Sequence, residues 1–512
     1  MSKKANHNNV FAVTHIGSNF LQLQVSQLVN NKLNHLERLK YPVSLGHDVF
    51  YNGEINFENV IALSEVLEKY HDCLAAYPIC KSKVISCSAM RYASNKEVVQ
   101  DIFKTQLDID IQVLEENEEK ALLYFESLKS LSECEMHMGK NCLFAYIGTG
   151  SIGLAMLENG KVVFTQNIPT GALKMQGFLG EMRRDTENFY EIIEDYVGGI
   201  FAPVRGEIEK LDEIILIGSE IERLTKLTHA EKTAGVHVIN KSRLSKLFKD
   251  LRKMTLENIA LHYGILEDEA ATLYYTLFIA NGIMDIHSSF HRVLSPDTDI
   301  VIAKIRELCD KNYEKEFAEF KRANALHCAE RITKDWKSSP ISTQQFSDLS
   351  CRIFDKLISW HGMENSWKMV LKLAAKFVRR TPLLSFRSTE FSGYIQNIEL
   401  FGTSQEEMSV LSLVISFIEA PEEMQQSEAF LDLDTETQLI VSKLTAIAGI
   451  SLALSRESLF AIRITSFEKQ RRMVFHASTQ TGDTLAKWAF KRCAPVFQSV
   501  FGIQPVLTIK RK

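Results

Sequence analysis

The sequence lacks the clusters and apolar runs that mark several common protein classes. Its nine cysteines are scattered, with no CxxC pair and no Cys/His cluster, which argues against a zinc site and favours reduced thiols in the cytosol. No run of ~18 consecutive apolar residues occurs, and no apolar segment follows the N-terminal lysines, so we expect neither a membrane span nor a signal peptide. A large charge excess is missing too: the formal charge is -5, so any polyanion site must be a local basic groove.

What is present is the composition of an ordinary soluble protein. The chain has 512 residues, 45% hydrophobic and 24% charged. That length exceeds what one hydrophobic core usually supports, so we expect about three or four domains.

The most informative stretch is residues 142–164. An apolar run turns on Gly148, Thr149, Gly150 and Ser151, continues as an alternating strand, and turns again at residues 159–160. Glycines beside Ser and Thr allow backbone amides to converge on a small anion. The same turn between two strands also occurs without any ligand.

A second turn of this kind lies near the start of the chain. Residues 11–25 again form an apolar strand, a turn on Gly17, Ser18 and Asn19, and an alternating strand. A duplicated strand-loop-strand unit is how actin-like ATPases and sugar kinases hold phosphates between two related domains.

Several sequence blocks, in order, resemble the exopolyphosphatase / guanosine pentaphosphatase (Ppx/GppA) family. The family patterns DLGSNS, SAxRxAxN, SGEEEAR, DIGGGSTEL and LPLGAVR resemble residues 15–20, 88–95, 116–122, 146–154 and 167–174. The resemblance implies two actin-like (ribonuclease H-like) α/β domains at 1–125 and 126–295. It further implies an all-α HD-like domain at 296–437 and a small α/β domain at 438–512, as in the long family members.

The resemblance also implies a phosphate site in the cleft between the first two domains. Its expected phosphate-binding residues are Gly17, Ser18, Asn19, Arg91, Gly148, Gly150 and Ser151. A third glycine turn, Gly218 and Ser219, matches the region of the adenosine site in actin-like kinases. On its own, an arginine such as Arg91 at a helix start is as readily explained by solvation.

The sequence departs from the family at its acidic positions. Active members use carboxylates to organise magnesium, the phosphates and the attacking water, and magnesium requires hard oxygen ligands. Those positions read His15, Tyr146 and Gly153, and the catalytic base position reads Lys120. Magnesium is therefore implied by the family while its protein ligands are largely missing.

The nearest substitute for the base is Glu119, one residue before Lys120. On a helix it points about 100° away from the family position. The acidic residues here also have a purely local explanation, because carboxylates favour a helix N-terminus. Two hypotheses follow. One is a pseudoenzyme that binds polyphosphate or a phosphorylated nucleotide; the other is an active hydrolase of polyphosphate or guanosine pentaphosphate with Glu119 as base.

The helical third domain lacks the HD metal ligands. The family's His-Asp pair corresponds to Val378 and Arg379, and its histidine-rich HHKHSAY block corresponds to residues 388–394. We therefore expect a binding and scaffolding module without its own metal. Family members usually carry an arginine near the start of the last helix of the second domain, and the matching position in this sequence is Glu269. By resemblance we expect a possible homodimer in the cytoplasm, with no nucleic-acid or membrane partner.

Local patterns predict the individual elements. Strands are expected at 10–14, 21–25, 34–39, 83–88 and 213–217. Helices are expected at 56–76, 116–130, 180–200, 202–210, 240–254 and 267–284. After residue 438 we expect strands at 459–465, 471–477 and 505–510, with a helix at 484–501 that is interrupted or kinked near Pro495.

Overall fold

The computed structural model describes residues 9–30, 32–136, 138–180, 182, 188–334, 336, 341–378, 393–456, 458–467, 471–480 and 482–511. The chain forms two compact units, Met1–Lys321 and Arg322–Lys512. The first unit therefore includes residues 296–321, which the sequence interpretation assigned to the third domain.

A five-stranded sheet forms the first half of the first unit. Its strands are β1 (Val10–Ile16), β2 (Phe20–Val29), β3 (Lys32–Pro42), β4 (Ile79–Ser86) and β5 (Ile111–Val113). The order is β3-β2-β1-β4-β5, with β1 antiparallel to β2 and parallel to β4. Both β1 and β2 are buried over most of their length, as expected for central strands covered on both faces. The four strands predicted in this part are confirmed.

A seven-stranded sheet forms the second half of the first unit. Its strands are β6 (Asn141–Ile147), β7 (Ile152–Glu158), β8 (Lys161–Ile168), β9 (Glu213–Ile217), β10 (Glu231–Thr233), β11 (Val236–Ile239) and β12 (Arg292–Pro296). Within the order β10-β11-β12-β9-β6-β7-β8, the run β8-β7-β6-β9-β12 repeats the order of the first sheet. The predicted duplication is thus present in both topology and strand direction.

Helices accompany these sheets, and the last of them continues past Lys321, the end of the first unit. They are α1 (Leu45–His47), α2 (Phe57–Ala75), α3 (Ser88–Tyr92), α4 (Lys96–Leu107), α5 (Glu116–Glu133), α6 (Ala172–Gly180), α7 (Phe189–Arg205), α8 (Ile221–Leu227), α9 (Lys241–Leu251), α10 (Leu256–Tyr263), α11 (Glu267–Met284), α12 (Ile300–Cys309) and α13 (Lys311–Ile332). Asn56 caps α2 as predicted, because its side chain accepts a hydrogen bond from the Glu58 amide.

The prediction of two helices at 180–200 and 202–210 is wrong. A single helix, α7, continues through Pro203 to Arg205. Proline removes one backbone donor, and near the end of α7 that loss is tolerated because Phe201 and Val204 remain buried in the core.

Helix α12 explains why residues 296–321 belong to the first unit. Asp299 caps it by accepting a hydrogen bond from the Ile302 amide at 2.8 Å. Arg306 then pairs with Glu133 and Glu126 of α5. Burial raises the pKa of Glu126 to about 7, although Arg306 acts in the opposite direction.

The second unit combines helices with a small sheet. Beyond α13 its helices are Thr343–Lys356, Ile358–His361, Lys368–Phe377, Gln405–Phe417, Glu428–Leu431, Thr435–Leu454 and Thr484–Phe501, and its strands are β13 (Leu459–Phe467), β14 (Arg472–Thr479) and β15 (Gln504–Arg511). The predicted C-terminal strands and helix are confirmed. Thr484–Phe501 is one helix, so of the two alternatives expected near Pro495 the interruption is wrong, while the kink stays a prediction.

Helix Thr435–Leu454 contains the expected domain boundary at 437/438. Its Gly449 lies against Cys493 of helix Thr484–Phe501, where an added Cβ would stand 3.0 Å from the sulfur. The helix is long and apolar enough to cross a membrane, yet 78% of its apolar window is buried within the protein, as in the core helix of a soluble domain.

The positions compared with the HD ligands are only partly described. Val378 follows helix Lys368–Phe377, whereas Arg379 and residues 388–392 lie outside the described residues. Across the described part of the chain, no group of three or more His, Cys, Asp or Glu side chains could hold a metal ion. The absence of a metal in this domain stays a prediction.

Candidate functional site

The first glycine turn connects β1 to β2. Gly17 donates its amide to Phe20 O at 3.0 Å, and the Ser18 carbonyl accepts from the Gly46 amide at 2.9 Å. A side chain at Gly17 would stand 2.9 Å from the Phe20 carbonyl oxygen. This closeness explains why a glycine is needed in the turn.

The second glycine turn, between β6 and β7, packs against the start of α6. The Gly148 carbonyl accepts from the Ala172 amide at 3.1 Å, and the Thr149 carbonyl accepts from the Leu173 amide at 3.0 Å. A Cβ on Gly171 would overlap the Gly148 carbonyl. The amides at the start of α6 are therefore used within the protein, so that helix end is not a free anion site.

The two turns meet directly through three hydroxyl groups. Thr149 donates to Ser18 at 2.9 Å, Ser18 and Ser88 are 3.2 Å apart, and Ser88 lies 3.5 Å from Thr149. We call Ser18, Ser88 and Thr149 the hydroxyl cluster. Gly150 lies between Phe50 and this cluster, because a Cβ on Gly150 would stand 2.6 Å from the Phe50 ring and 3.2 Å from Ser88 Cβ. The predicted juxtaposition of the two glycine turns is confirmed, while phosphate binding there stays a prediction.

Arg91 does not face an open cleft. Its Nη1 donates to the Leu114 carbonyl at 2.5 Å and to Glu119 Oε2 at 3.0 Å. Burial alone would lower the pKa of Arg91, but the Glu119 carboxylate beside it raises that pKa above its ordinary value. In this arrangement the guanidinium is paired with an internal carboxylate, not presented to a ligand.

Glu119, the predicted substitute base, is engaged at both oxygens. Oε1 accepts from the Tyr146 hydroxyl at 3.0 Å, and Oε2 accepts from Arg91. The residue is only 2% exposed. Burial, together with the neighbouring Glu119 charge, raises the pKa of Tyr146 far above its ordinary value, so the phenol is a donor here. Tyr146 therefore fills the second family acid position and also binds the carboxylate proposed as base.

Lys120, at the family base position, forms a second buried set of contacts. Its Nζ donates to Glu116 Oε1 at 2.6 Å, Asn167 Oδ1 at 2.8 Å and the Ile152 carbonyl at 3.3 Å. All three ammonium donors are thus used. Burial lowers the pKa of Lys120 even though Glu116 opposes the shift. Burial would raise the pKa of Glu116, but Lys120 lowers it to about 2, so Glu116 is a carboxylate at neutral pH, and the three acceptors around Lys120 Nζ match a charged ammonium.

Gly153 and Lys120 fit each other sterically. A Cβ on Gly153 would stand 2.5 Å from Lys120 Cδ and 2.6 Å from the Tyr124 hydroxyl. The lysine stem occupies the volume into which a side chain at 153 would project. Positions 120 and 153 both differ from the family pattern and are 33 residues apart in sequence. In the structure the two differences belong together, because the side chain of one fills the space left by the other.

His15 occupies the first family acid position at the end of β1. Its Nε2 is buried and has no hydrogen-bond partner among the described residues. Burial lowers the pKa of His15, although Glu119 and Asp299 act in the opposite direction. The ring is therefore a neutral imidazole at pH 7. Together, His15, Tyr146, Gly153 and Lys120 do not fit magnesium, which requires carboxylate or other hard oxygen ligands.

The third glycine turn follows β9. Gly218 has φ 151°, and a Cβ there would overlap the Ile147 carbonyl, so only glycine allows β9 to approach the second loop this closely. Nearby, Arg223 of α8 donates to Glu269 at 2.9 Å and pairs with Glu220 at 3.1 Å. An arginine thus lies beside the start of α11 although position 269 is acidic. No contact in the described structure tests a nucleotide role for Gly218 and Ser219.

Sequence reasoning missed four partners of the site. Ser88 and Asn167 stand at the first positions of two of the matched blocks, so their place in those blocks was an available signal. Glu116 is four residues before Lys120, a spacing that pairs opposite charges on a helix. Phe50 had no such signal, because it lies in a short π-helical segment, Asp48–Asn52.

Comparisons with known proteins agree with this architecture. A family model described as the Ppx/GppA phosphatase family matches residues 24–291. A solved exopolyphosphatase from Cytophaga hutchinsonii aligns with TM-score 0.52 and 18% identity, over 59% of this chain and 98% of that protein. An exopolyphosphatase-like protein aligns with TM-score 0.51 and 14% identity, over 59% and 98%. A Ppx/GppA family member from Aquifex aeolicus gives 0.49 and 17%, over 59% and 99%. No curated protein sequence matches.

Proposed function

The chain belongs to the Ppx/GppA phosphatase family, and from this premise we propose that it is a catalytically impaired member. Its cleft between the two halves of the first unit binds inorganic polyphosphate or a phosphorylated nucleotide without efficient hydrolysis. One observation carries the proposal: Lys120 and Tyr146, which stand at two acidic family positions, are committed to buried contacts with Glu116 and Glu119.

The loss of acids bears directly on the chemistry. Phosphoryl transfer is mostly positioning plus neutralisation of charge on the transferred group, for which a carboxylate-bound metal is the usual device. Neutral His15, Tyr146 and Gly153 supply no carboxylate to a cation. Lys120 is ionic and cannot accept a proton from water. Losing one well-placed electrostatic group typically costs a factor of about 100 to 1,000 in rate, so turnover near the limit of detection is expected.

Anion binding requires less than catalysis does. The hydroxyl cluster and the amides of Asn19, Gly150 and Ser151 can donate to phosphate oxygens once the 2.9 Å hydrogen bond between Thr149 and Ser18 opens. Arg91 can contribute if it leaves Glu119. In our proposal, the ligand therefore binds an opened form of the cleft, and the closed form competes with it.

The rest of the chain takes roles that follow from the family. The helical part of the second unit is an HD-like binding and scaffolding module without a metal of its own. The protein acts in the cytoplasm as a homodimer and has no nucleic-acid or membrane partner. Mass measurement in solution and elemental analysis of the purified protein test the dimer and the missing metal.

The decisive assay is phosphate release from polyphosphate and from guanosine pentaphosphate, with and without Mg²⁺. We expect release close to background and direct binding of labelled polyphosphate. Binding should weaken in Thr149→Asp, which places a carboxylate in the glycine turn. Magnesium-dependent turnover at ordinary enzyme rates that is abolished by Glu119→Gln would instead establish the hydrolase alternative.

Restoring the acids gives a second test. Gly153→Glu needs Lys120 removed, because the lysine stem fills that space. We therefore expect Lys120→Glu combined with Tyr146→Asp and Gly153→Glu to raise magnesium-dependent release above the wild-type background. Gly153→Glu alone should only destabilise the protein. No gain from the triple variant, in a folded protein that binds Mg²⁺, would show that the missing acids are not the cause of low activity.

A further inference from the structure

The second half of the first unit contains a pocket that plays no part in the cleft. It has a volume of about 900 Å³ and is formed around α9, the β10–β11 hairpin and the start of β12. We call it the α9 pocket. Four basic residues of α9 line it, Lys241, Arg243, Lys246 and Lys249. On a chain with a net charge of -5, this is a local concentration of positive charge of the kind that binds anions.

The pocket lies at the end of the sheet opposite the glycine turns. Arg292 lines the pocket at the start of β12. It pairs in register with Glu213, so the start of β9 lies at the same end of the sheet as the pocket. The other end of β9 leads into Gly218, which touches the second glycine loop. A five-residue strand spans about 13 Å, so a small ligand in the α9 pocket does not reach the hydroxyl cluster.

The cations of the pocket are not neutralised from within. Among the described residues, Arg243 donates to two backbone carbonyls and to no carboxylate, with distances of 2.8 Å to His229 O and 3.4 Å to Thr228 O. In the described part of the chain, Lys246 and Lys249 have no carboxylate partner within ion-pair distance. Lys241 stands over the Phe290 ring, 4.0 Å from its centroid. Arg292, by contrast, is already paired with Glu213.

Two carboxylates also line the pocket, Glu231 and Asp250. Both are exposed to solvent, as are the four cations of α9, so water and salt screen the two signs alike. With Arg292 neutralised by Glu213, the four α9 cations outnumber them. The backbone amides at the helix start add little, because the Asn240 side chain already accepts from Ser242 N and Arg243 N.

The sequence of α9 also works against the stability of its own helix. The first turn contains no acidic residue and begins with Lys241 and Arg243, although cations at a helix N-terminus oppose the macrodipole. Arg243, Lys246 and Lys249 recur every three residues, which places like charges side by side on the helix surface. Local choices that disagree with the fold are expected at functional sites.

We infer that the α9 pocket binds a compact anion with three or more phosphate groups, recognised through its phosphates alone. Arg243 and the lysines supply charge-assisted donors, and Ser245 adds a hydroxyl, whereas the Ser242 hydroxyl already donates to Asn240 Oδ1 at 2.6 Å. Only Val238 and Ile239 among the lining residues are apolar, and the nearby Phe290 ring is covered by Lys241. The lining contains no Phe, Tyr or Trp, and its rings are the two exposed imidazoles of His229 and His291, which offer a nucleobase less stacking surface than the larger aromatic side chains that normally bind it.

The test uses calorimetry of the full chain with inorganic tripolyphosphate, ATP and inositol hexakisphosphate as probes. Lys246→Glu with Lys249→Glu should weaken tripolyphosphate binding at the α9 site at least tenfold. The control, Lys69→Glu with Lys104→Glu, changes two exposed lysines of α2 and α4 by the same charge and should not alter it. ATP and tripolyphosphate should bind this site within about threefold of each other, because the base makes no contact. If inositol hexakisphosphate binds more tightly than tripolyphosphate, the ligand of this site is a phosphorylated alcohol. If tripolyphosphate binds more tightly, the ligand is an inorganic phosphate chain.

Thr149→Asp separates this inference from the proposed cleft function. If Thr149→Asp removes all binding and the α9 variant removes none, the inference is wrong and the cleft proposal stands. If the α9 variant alone removes binding, the inference stands and the cleft proposal fails. Competition by single-stranded RNA that is stronger than by tripolyphosphate would overturn the assignment to a compact phosphate ligand.

Discussion

The buried ammonium of Lys120 allows a quantitative prediction about how much its contacts stabilise the first unit. We consider Lys120→Met, which keeps an unbranched side chain over Gly153 but removes the charge and all three donors. Glu116 Oε1, Asn167 Oδ1 and the Ile152 carbonyl then lose their shared partner. The Lys120 side chain is 3% exposed and that of Glu116 is 22% exposed.

The expected magnitude follows from that asymmetry in exposure. Removing one member of a fully buried ion pair costs about 3 to 5 kcal/mol, because the other charge remains without compensation. Water reaches Glu116, and its Oε2 keeps the Tyr92 hydroxyl at 2.9 Å. We therefore expect Lys120→Met to lower the free energy of unfolding by about 3 kcal/mol, the lower end of this range. Adding Glu116→Gln removes the stranded charge, so the double variant should be less destabilised than the sum of the two single variants.

The tryptophans provide an internal control for this measurement. All four, Trp336, Trp360, Trp367 and Trp488, lie in the second unit. Tryptophan fluorescence during urea unfolding therefore reports the second unit, and hydrogen exchange of peptides from β6 and β7 reports the first. Lys120→Met should accelerate hydrogen exchange in β6 and β7. Under conditions where the two units unfold in separate transitions, the fluorescence transition of the second unit should not change.

A matched control lies on the same helix. Lys129 of α5 pairs with Glu316, and both side chains are more than a third exposed. Lys129→Met should cost less than about 1 kcal/mol, as exposed ion pairs contribute little. The reasoning fails if Lys120→Met is as mild as Lys129→Met, or if the changes at Lys120 and Glu116 are simply additive.

Three further predictions address the packing and the buried charge of the first unit. Gly153→Ala should lower the free energy of unfolding by about 1 to 3 kcal/mol through overpacking; Lys120→Ala in the same chain should recover part of that loss, and thermal unfolding of the two variants decides it. Gly171→Ala should be at least as costly, since its Cβ meets backbone, not a flexible side chain; an unchanged melting temperature would contradict the close contact with the second glycine turn. Burial raises the pKa of Glu126 from 4.5 to about 7, so the stability that this residue contributes is full below pH 4.5 and is lost as pH rises through 7. Between pH 5 and pH 8, the free energy of unfolding of Glu126→Gln should therefore rise by up to about 3 kcal/mol relative to that of the wild type. Equal pH slopes of the two proteins in urea unfolding would refute this.

Much of the fold could be predicted because its signals are local. The strands on either side of Gly17 and Gly148 show apolar runs and period-two alternation, and glycine turns separate them. Helix α2 begins at the asparagine expected to cap it. The prediction failed at Pro203, where a local rule about proline gave way to the burial of the neighbouring Phe201 and Val204 against distant parts of the chain.

The sequence by itself determined which acids are absent from the candidate site. Positions 15, 120, 146 and 153 read His, Lys, Tyr and Gly whatever the fold, so none of these four positions supplies a carboxylate to a magnesium ion. It also determined the duplicated strand-loop-strand pattern, because alternation and turns depend on neighbours along the chain.

Only the tertiary structure decided what replaced the acids. The Lys120 stem lies against Gly153, Glu119 is held between Arg91 and Tyr146, and Thr149 bonds to Ser18 across 131 positions. These contacts depend on how two sheets face each other, and spacing along the chain carries no information about that. A buried charge must find its partner wherever folding places one, so the identity of each partner is a property of the packed molecule.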